Sequence, residues 1–309
     1  MISEKVLDFF KSIDDADFLT MRRMLENFKR MDNRFDAISK KVFDNIDILA
    51  NYNIHLIDSG SLDTFVWTAD SQDECNMYVS SKASEYSVCH EVGHMLLDLF
   101  ANNEVPEEFE TVNNLCIERL NAKKEYLKEM FQKQSKEIFE LFANEAPELE
   151  GFMDRHPEVE YDYLAEHPEE DAEDFALLVL QSFLELITNY DPKIEGYRKI
   201  SGIVDSIYKG DNPFAEQYGY GDFSPLLSSH GREYFLDDEI SPEKASFEEQ
   251  FADYLVLRLY TKEFGEAIGE IHSLIGDEWF EMMDRHYEKV ANRMSCQRGK
   301  VMQKKIEGE

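Results

Sequence analysis

The sequence has no long apolar run, no paired cysteines and comparatively few basic residues. A membrane-spanning helix needs roughly 20 mostly apolar residues, so no segment is expected to cross a membrane. The first segment, MISEKVLDFFKSIDDADF, has acidic residues within its apolar run, which argues against a signal peptide. The scattered cysteines, Cys75, Cys89, Cys116 and Cys296, argue against a disulfide framework and a cysteine-rich zinc site. We therefore expect a protein of the reducing cytoplasm.

The deficit of positive charge is large, since 32 basic residues against 65 acidic ones give a net charge of −33. Such a surface repels nucleic acid and anionic membranes, so neither is expected as a partner. The acidic excess either serves solubility alone or also attracts a basic segment of a substrate. The 309 residues, 43% of them hydrophobic, suffice for one large domain or two smaller ones.

What the sequence does contain is the pentapeptide HEVGH, within the segment SEYSVCHEVGHMLLDLF at 84–100. Its apolar residues recur at a helical period and Ser84 suits the N-cap, so a helix is predicted there. Residues four apart lie on one face of a helix, so His90 and His94 can bind one metal ion. The carboxylate of Glu91 can then reach a water molecule beside the ion, which is the HExxH arrangement of zinc peptidases.

Two incidental histidines on a surface helix are the alternative interpretation of this motif. The helix is otherwise strongly apolar, which favours burial, and a buried imidazole needs a partner such as a metal ion. Gly93, in the middle of the helix, costs about 1 kcal/mol relative to alanine. We expect a close approach to the backbone at Gly93 to account for this cost.

A catalytic zinc ion takes three protein ligands and leaves one position for water, so the histidines need a third partner. Glu249 is the first candidate, because it shares one face of a predicted helix with Asp253, four residues later. Asp253 would then hold the imidazole N–H of a ligand histidine. Glu118 is the second candidate, since it follows His94 after a gap suited to an adjacent helix. In so acidic a chain, a plain charged helical face is the alternative for Glu249.

The oxyanion that develops during peptide hydrolysis needs a hydrogen-bond donor, which is usually His or Tyr beside the metal ion. His230, in a loop before the helix of Glu249, is the first choice. Tyr234, Tyr220 and Tyr218 are the alternatives. An ordinary loop histidine is an equally good interpretation of His230.

The hydrophobic periods along the chain predict an α+β protein that is predominantly helical. Three short β-prone runs, at 53–58, 64–68 and 76–80, predict a small sheet. The last of them would lie nearest the site and could pair with an extended substrate strand. The predicted regions are an N-terminal helical region at 1–52, the sheet and HExxH helix at 53–101, a helical insertion at 102–200, a region with the third-ligand helix at 201–296, and a charged tail at 297–309.

HEVGH followed by EEQFADYL at 248–255 resembles the gluzincin metallopeptidases, in which a glutamate of such a helix supplies the third ligand. Together with SSHGREYF at 228–235, it is similar to the catalytic domain of anthrax lethal factor and to related zincins of phages and mobile elements. The resemblance covers about 53–100 and 202–260, and it implies a zincin-like fold with Zn²⁺ as cofactor. The sheet and HExxH helix would form the upper half of that fold, and the Glu249 helix the lower half.

These features predict a zinc-dependent endopeptidase with a protein or peptide substrate. Zinc would activate a water molecule, and Glu91 would accept its proton and pass it to the leaving amine. One alternative is a zincin-fold structural or partner-binding protein, associated with phages or mobile elements, with little or no turnover. Another is a regulatory metalloprotein whose helical insertion recognises one partner. The intact Glu91 favours the enzyme, since an inactive site would be free to lose its base.

Overall fold

The computed structural model of the chain describes residues 53–58, 65–68, 74–79, 84–102, 104–153, 191–215, 232–236 and 240–307. The described part is predominantly helical, which confirms this much of the predicted fold class. None of its helices is both long and apolar enough to cross a membrane. The predicted N-terminal helical region at 1–52 lies outside the described residues.

The three predicted β-prone runs form one three-stranded sheet. Its strands are β1 (Asn53–Asp58), β2 (Phe65–Thr68) and β3 (Glu74–Val79), in the spatial order β1-β3-β2. β3 pairs in parallel with β1 and antiparallel with β2. Because β3 is paired on both sides, the expectation that this strand would pair with a substrate is wrong. Of the described strands, β1 and β2 are the outer ones, and β2 lies against the HEVGH helix.

Helix α1, Glu85–Ala101, carries the HEVGH segment and begins where the sequence predicts. Ser84 caps it, since the Ser87 backbone N–H donates to Ser84 Oγ at 3.0 Å. Glu85 stands in the first turn, where the helix dipole favours a carboxylate. The helix ends at Asn102, whose φ of 51° places it in the left-handed region that closes many helices.

The remaining helices follow in chain order. They are α2 (Phe109–Ala122), α3 (Lys124–Met153), α4 (Pro192–Ile207), α5 (Arg232–Phe235), α6 (Pro242–Leu259), α7 (Gly265–Ile275) and α8 (Asp277–Glu307). Helix α8 reaches Glu307, so the described part of the predicted charged tail is helical. Ser241 caps α6, accepting from the Lys244 backbone N–H at 3.3 Å, and a proline follows at the first helical position.

The described residues belong to two compact units. The first contains α3, the part of α4 up to Arg198, and 213–215; within it, Glu137 accepts hydrogen bonds from Lys193 and Tyr197, both at 2.8 Å. The second contains the sheet, α1, α2, the part of α4 from Lys199 onward, and α5 to α8. The predicted insertion at 102–200 is thus divided, because α2 belongs to the unit of the HEVGH helix.

Helix α6 is buried along most of its length, from Ala245 to Leu257. Three of its apolar side chains, Phe247, Phe251 and Leu255, are fully buried. The helix approaches α1 very closely: a Cβ added at Gly93 would lie 2.7 Å from the Cα of Ala252. The expected close approach to the backbone at Gly93 is therefore confirmed, and it is made by α6.

Buried polar contacts connect α6 to three other helices of the second unit. The side-chain amide of Gln250 donates to Asn113 of α2 at 3.1 Å and accepts from the Trp279 indole of α8 at 2.7 Å. The Ser246 hydroxyl donates to the backbone carbonyl of Ser206 in α4 at 2.6 Å. Buried hydrogen bonds of this kind are costly to break, so together they fix the rotation of α6 about its axis.

Candidate metal centre

Two helices bring three metal-binding side chains together: His90 and His94 of α1, and Glu249 of α6. The two histidine Nε2 atoms lie 3.2 Å apart. Glu249 Oε2 is 3.3 Å from His90 Nε2, and Glu249 Oε1 is 3.5 Å from His94 Nε2. The histidine side chains are 12% and 20% exposed and the glutamate 2%, so the cluster is accessible from the histidine side.

These separations fit a single tetrahedral ion. Donors bound about 2.0–2.1 Å from one ion in tetrahedral geometry lie about 3.3–3.4 Å from each other. The two nitrogens are 3.2 Å apart, and Oε2 and Oε1 of Glu249 lie 3.3 Å from the first nitrogen and 3.5 Å from the second, so each nitrogen has one carboxylate oxygen at about this distance. Neutral imidazole nitrogens and a carboxylate all present lone pairs, which converge favourably only on a positive charge. The cluster can therefore hold a metal ion.

Asp253 forms a hydrogen bond with His90 at the ring nitrogen that is not part of the cluster. Its Oδ1 lies 2.8 Å from His90 Nδ1, on the opposite side of the ring from the cluster. A hydrogen bond from Nδ1–H to this carboxylate leaves the lone pair on Nε2, where a metal ion would bind. Asp253 stands one helical turn after Glu249, so a single face of α6 supplies both carboxylates.

Lys199 of α4 also contacts the Asp253 carboxylate. Its Nζ lies 2.8 Å from the same Oδ1 atom that binds His90, and the Lys199 and Asp253 side chains are only 5% and 4% exposed. The positive charge of Lys199 and the negative charge of Asp253 thus form a buried ion pair. A chain of contacts therefore runs from α4 through α6 to the histidine on α1.

The charges around the cluster favour a cation. Burial alone would lower the pKa of His90, but the charge of Asp253 and hydrogen bonds to Asp253 and Glu249 outweigh it and raise this pKa to about 10. Burial alone would raise the pKa of Asp253, but the charges of Lys199 and His90 hold it below its usual value. Asp253 is thus ionised at neutral pH, and the positive charge at His90 comes from a proton when no metal ion is bound.

Glu91 and Tyr234 lie beside the cluster. Glu91 follows His90 on α1 and is half-buried. Tyr234 belongs to the short helix α5, and its pKa is raised first by burial, then by the charge of Glu249 and a hydrogen bond to it, and further by the charge of Glu91. The Tyr234 hydroxyl thus interacts with Glu249 of the cluster and with the charge of Glu91.

The remaining candidates from the sequence are the alternative third ligand and the alternative oxyanion donors. Glu118, the second candidate for the third ligand, is exposed on α2 and is not part of the cluster that the described residues form. His230, Tyr218 and Tyr220 lie outside the described residues. The structure therefore brings Glu249, rather than Glu118, to the two histidines, and Tyr234 is the one oxyanion-donor candidate within the described residues.

Sequence reasoning missed Lys199, although the sequence contains a signal for it. The α4 segment KISGIVDSI is apolar apart from a few polar residues, and Ile203 and Ile207 follow Lys199 at intervals of four, on the same helical face. Both isoleucines are buried. A lysine aligned with a buried apolar stripe needs a buried counter-charge. Local periodicity does not identify which acidic residue provides it.

Comparisons of the chain with protein-family models, with curated proteins and with solved structures found no match. The proposals below therefore rest on the geometry of the centre and on the motifs in the sequence.

Proposed function

We propose that the protein is a zinc-dependent endopeptidase of the gluzincin type, with a zincin-like arrangement of its second unit. The observation that carries this proposal is the convergence of His90, His94 and Glu249, with donor atoms 3.2 to 3.5 Å apart. Two histidines with one carboxylate, and a fourth position left for water, are a ligand set of catalytic zinc sites. Structural zinc sites are usually closed by four protein ligands instead.

The chain's own residues supply the proton transfers of peptide hydrolysis. When bound, the zinc ion would polarise both the attacking water and the scissile carbonyl. Glu91 would accept the proton of that water and deliver it to the leaving amine. The Tyr234 phenol, which is protonated at neutral pH, would donate to the oxyanion that forms on the carbonyl oxygen. Asp253 keeps the Nδ1 proton on His90, so that Nε2 faces the ion.

The sheet supports a peptide substrate. Strand β2 is an outer strand among the described ones and lies against α1, so an extended peptide could pair with its outer edge. Hydrogen bonds to the strand would bind the peptide backbone in any sequence context. The large acidic excess of the chain would favour basic segments in the substrate.

The experiment measures zinc and cleavage together. Zinc content is determined by elemental analysis in freshly purified wild type, Glu249→Ala and the matched control Glu118→Ala. We expect one zinc per chain in the wild type and Glu118→Ala, and loss of zinc in Glu249→Ala. Cleavage of a peptide library is then compared between wild type and Glu91→Gln, which keeps the shape of the side chain but cannot accept the proton.

Three results would contradict the proposal in different ways. Wild type without stoichiometric zinc would remove the metal centre. Zinc retained in Glu249→Ala but lost in Glu118→Ala would reassign the third ligand. Zinc bound normally but no cleavage that depends on Glu91 would favour the alternative function, a zincin-fold structural or partner-binding protein.

A further inference from the structure

Three helices meet at one oxygen atom of Asp253. Oδ1 accepts from His90 Nδ1 of α1 at 2.8 Å and from Lys199 Nζ of α4 at 2.8 Å, while Asp253 itself belongs to α6. Both the lysine and the aspartate are almost completely buried. The lysine therefore contacts the same atom that orients the metal-binding histidine.

Stability alone is a poor explanation for this buried ion pair. Removing an ammonium group and a carboxylate from water costs several kcal/mol for each ion, and hydrophobic replacements of buried pairs are often neutral or stabilising. Lys209, two residues after the end of α4, forms an ion pair of the same length, 2.8 Å, with Glu243 of α6, and both side chains are partly exposed. An ordinary ion pair thus already joins α6 to the segment that follows α4.

The position of Lys199 suits a role in orienting Asp253. The terminal torsion of an aspartate side chain has a broad preference, so a carboxylate with one hydrogen-bond partner can still rotate. A second donor from a different helix fixes the oxygen in space. Because His90 binds that oxygen through Nδ1, its ring orientation and the direction of Nε2 are fixed as well.

We propose that Lys199 is a positioning residue of the metal centre, which holds Asp253 so that His90 presents Nε2 to the ion. This inference rests on the proposed metal site but not on peptide cleavage. Lys199 acts through its contact with Asp253 Oδ1. Its loss should therefore weaken metal binding only while Asp253 is present.

The test measures zinc affinity by competition with a chromophoric chelator, on the full chain. Lys199→Met keeps the length of the side chain and removes the charge and the donors. We expect its zinc affinity to fall by about tenfold, the lower end of what loss of an outer hydrogen-bond partner of a metal ligand costs. Lys209→Met is the matched control, because it breaks a lysine–carboxylate ion pair of equal length between α6 and the segment that follows α4. We expect its zinc affinity to equal that of wild type.

A double-variant comparison separates positioning from general packing. Asp253→Ala is combined with Lys199→Met, and we expect the second substitution to cause no further loss of zinc affinity in that background. The absorption spectrum of the Co²⁺-substituted protein provides a second readout. It should change in Lys199→Met and stay unchanged in Lys209→Met, because it reports the geometry of the ligands. If Lys199→Met does not fold, Lys199→Gln takes its place, since its shorter neutral side chain also cannot keep the contact.

Equal zinc affinity in Lys199→Met and wild type would overturn the inference, and so would an equal loss with and without Asp253. Neither result would affect the proposed metal site, which fails only if wild type itself binds no zinc.

Discussion

Replacing Gly93 by alanine tests how closely α1 and α6 must approach for the metal centre to form. The new Cβ would lie 2.7 Å from Ala252 Cα and 3.1 Å from Ala252 Cβ, whereas ordinary contacts begin at 3.4 Å. Because the first of these atoms belongs to the backbone, no side-chain rotation relieves the clash. The two helices would have to separate by about 0.7 Å, which is the difference between 3.4 and 2.7 Å.

Two opposing effects determine the change in stability. Overpacking of this kind costs about 1–3 kcal/mol. Alanine gains about 0.5–1 kcal/mol over glycine inside a helix. We therefore expect Gly93→Ala to lower the free energy of unfolding of the metal-free protein by about 1–2 kcal/mol. Zinc affinity should fall by about tenfold as well, because the histidines on α1 would move away from Glu249 on α6.

The matched control is Gly269→Ala, in helix α7, where an added Cβ meets nothing within 4 Å. It should raise the free energy of unfolding by about 0.5–1 kcal/mol and leave zinc affinity unchanged. Urea unfolding in the presence of a chelator measures the stability of both variants, and chelator competition measures their zinc affinity. The reasoning is refuted if Gly93→Ala behaves like Gly269→Ala in both assays.

Three further predictions concern the same unit. Tyr234→Phe should lower kcat about 100-fold without loss of zinc, as measured by peptide turnover and elemental analysis, because one oxyanion donor is removed; an unchanged kcat would exclude this role. In wild type at a free zinc concentration of about 1,000 times Kd, removing the zinc with a chelator should lower the free energy of unfolding by about 4 kcal/mol. The chelator should cause no such change in Glu249→Ala. His286→Leu should remove an acid-induced loss of stability of up to about 3 kcal/mol that wild type shows between pH 7 and pH 4, measured by urea unfolding of the metal-free protein; equal losses in both proteins would contradict this.

The environment of His286 explains why the protein is expected to lose stability as the pH falls. His286 is 4% exposed, its ring packs edge-on against Phe247 and Phe251, and its Nε2 has no hydrogen-bond partner among the described residues. Burial, helped by the charges of Lys289 and Arg293, lowers the pKa of His286 to about 4. The unfolded chain, with a pKa of about 6.5, therefore binds the proton first as pH falls. The contribution of His286 to stability is therefore lost from about pH 6.5 down to about pH 4 and changes no further below that.

Local patterns were sufficient for the elements that carry the motifs. The Ser84 cap and the apolar period predicted α1 to within about one residue, because capping and helical spacing act over a few residues. The same reasoning located the three strands. It misjudged the role of β3, since strand order depends on pairing between distant segments and not on the pattern within one strand.

The choice between Glu249 and Glu118 shows where sequence reasoning ends. Both are acidic residues on helices, and the pattern that favoured Glu249 was the second carboxylate four residues later, within EEQFADYL. Packing decides the matter, because α6 is buried against α1 at Gly93 while Glu118 faces solvent on α2. An exposed carboxylate on another helix cannot reach the two imidazoles.

The sequence by itself determined that two histidines share one helical face with an acid beside them, because a four-residue spacing on a capped helix permits nothing else. Only the tertiary structure decided what surrounds them. His90 and Asp253 are 163 residues apart, and their contact exists because a glycine lets two helices come unusually close. Lys199 joins them from a third helix, and no periodicity within any one helix encodes a contact that three separate helices create.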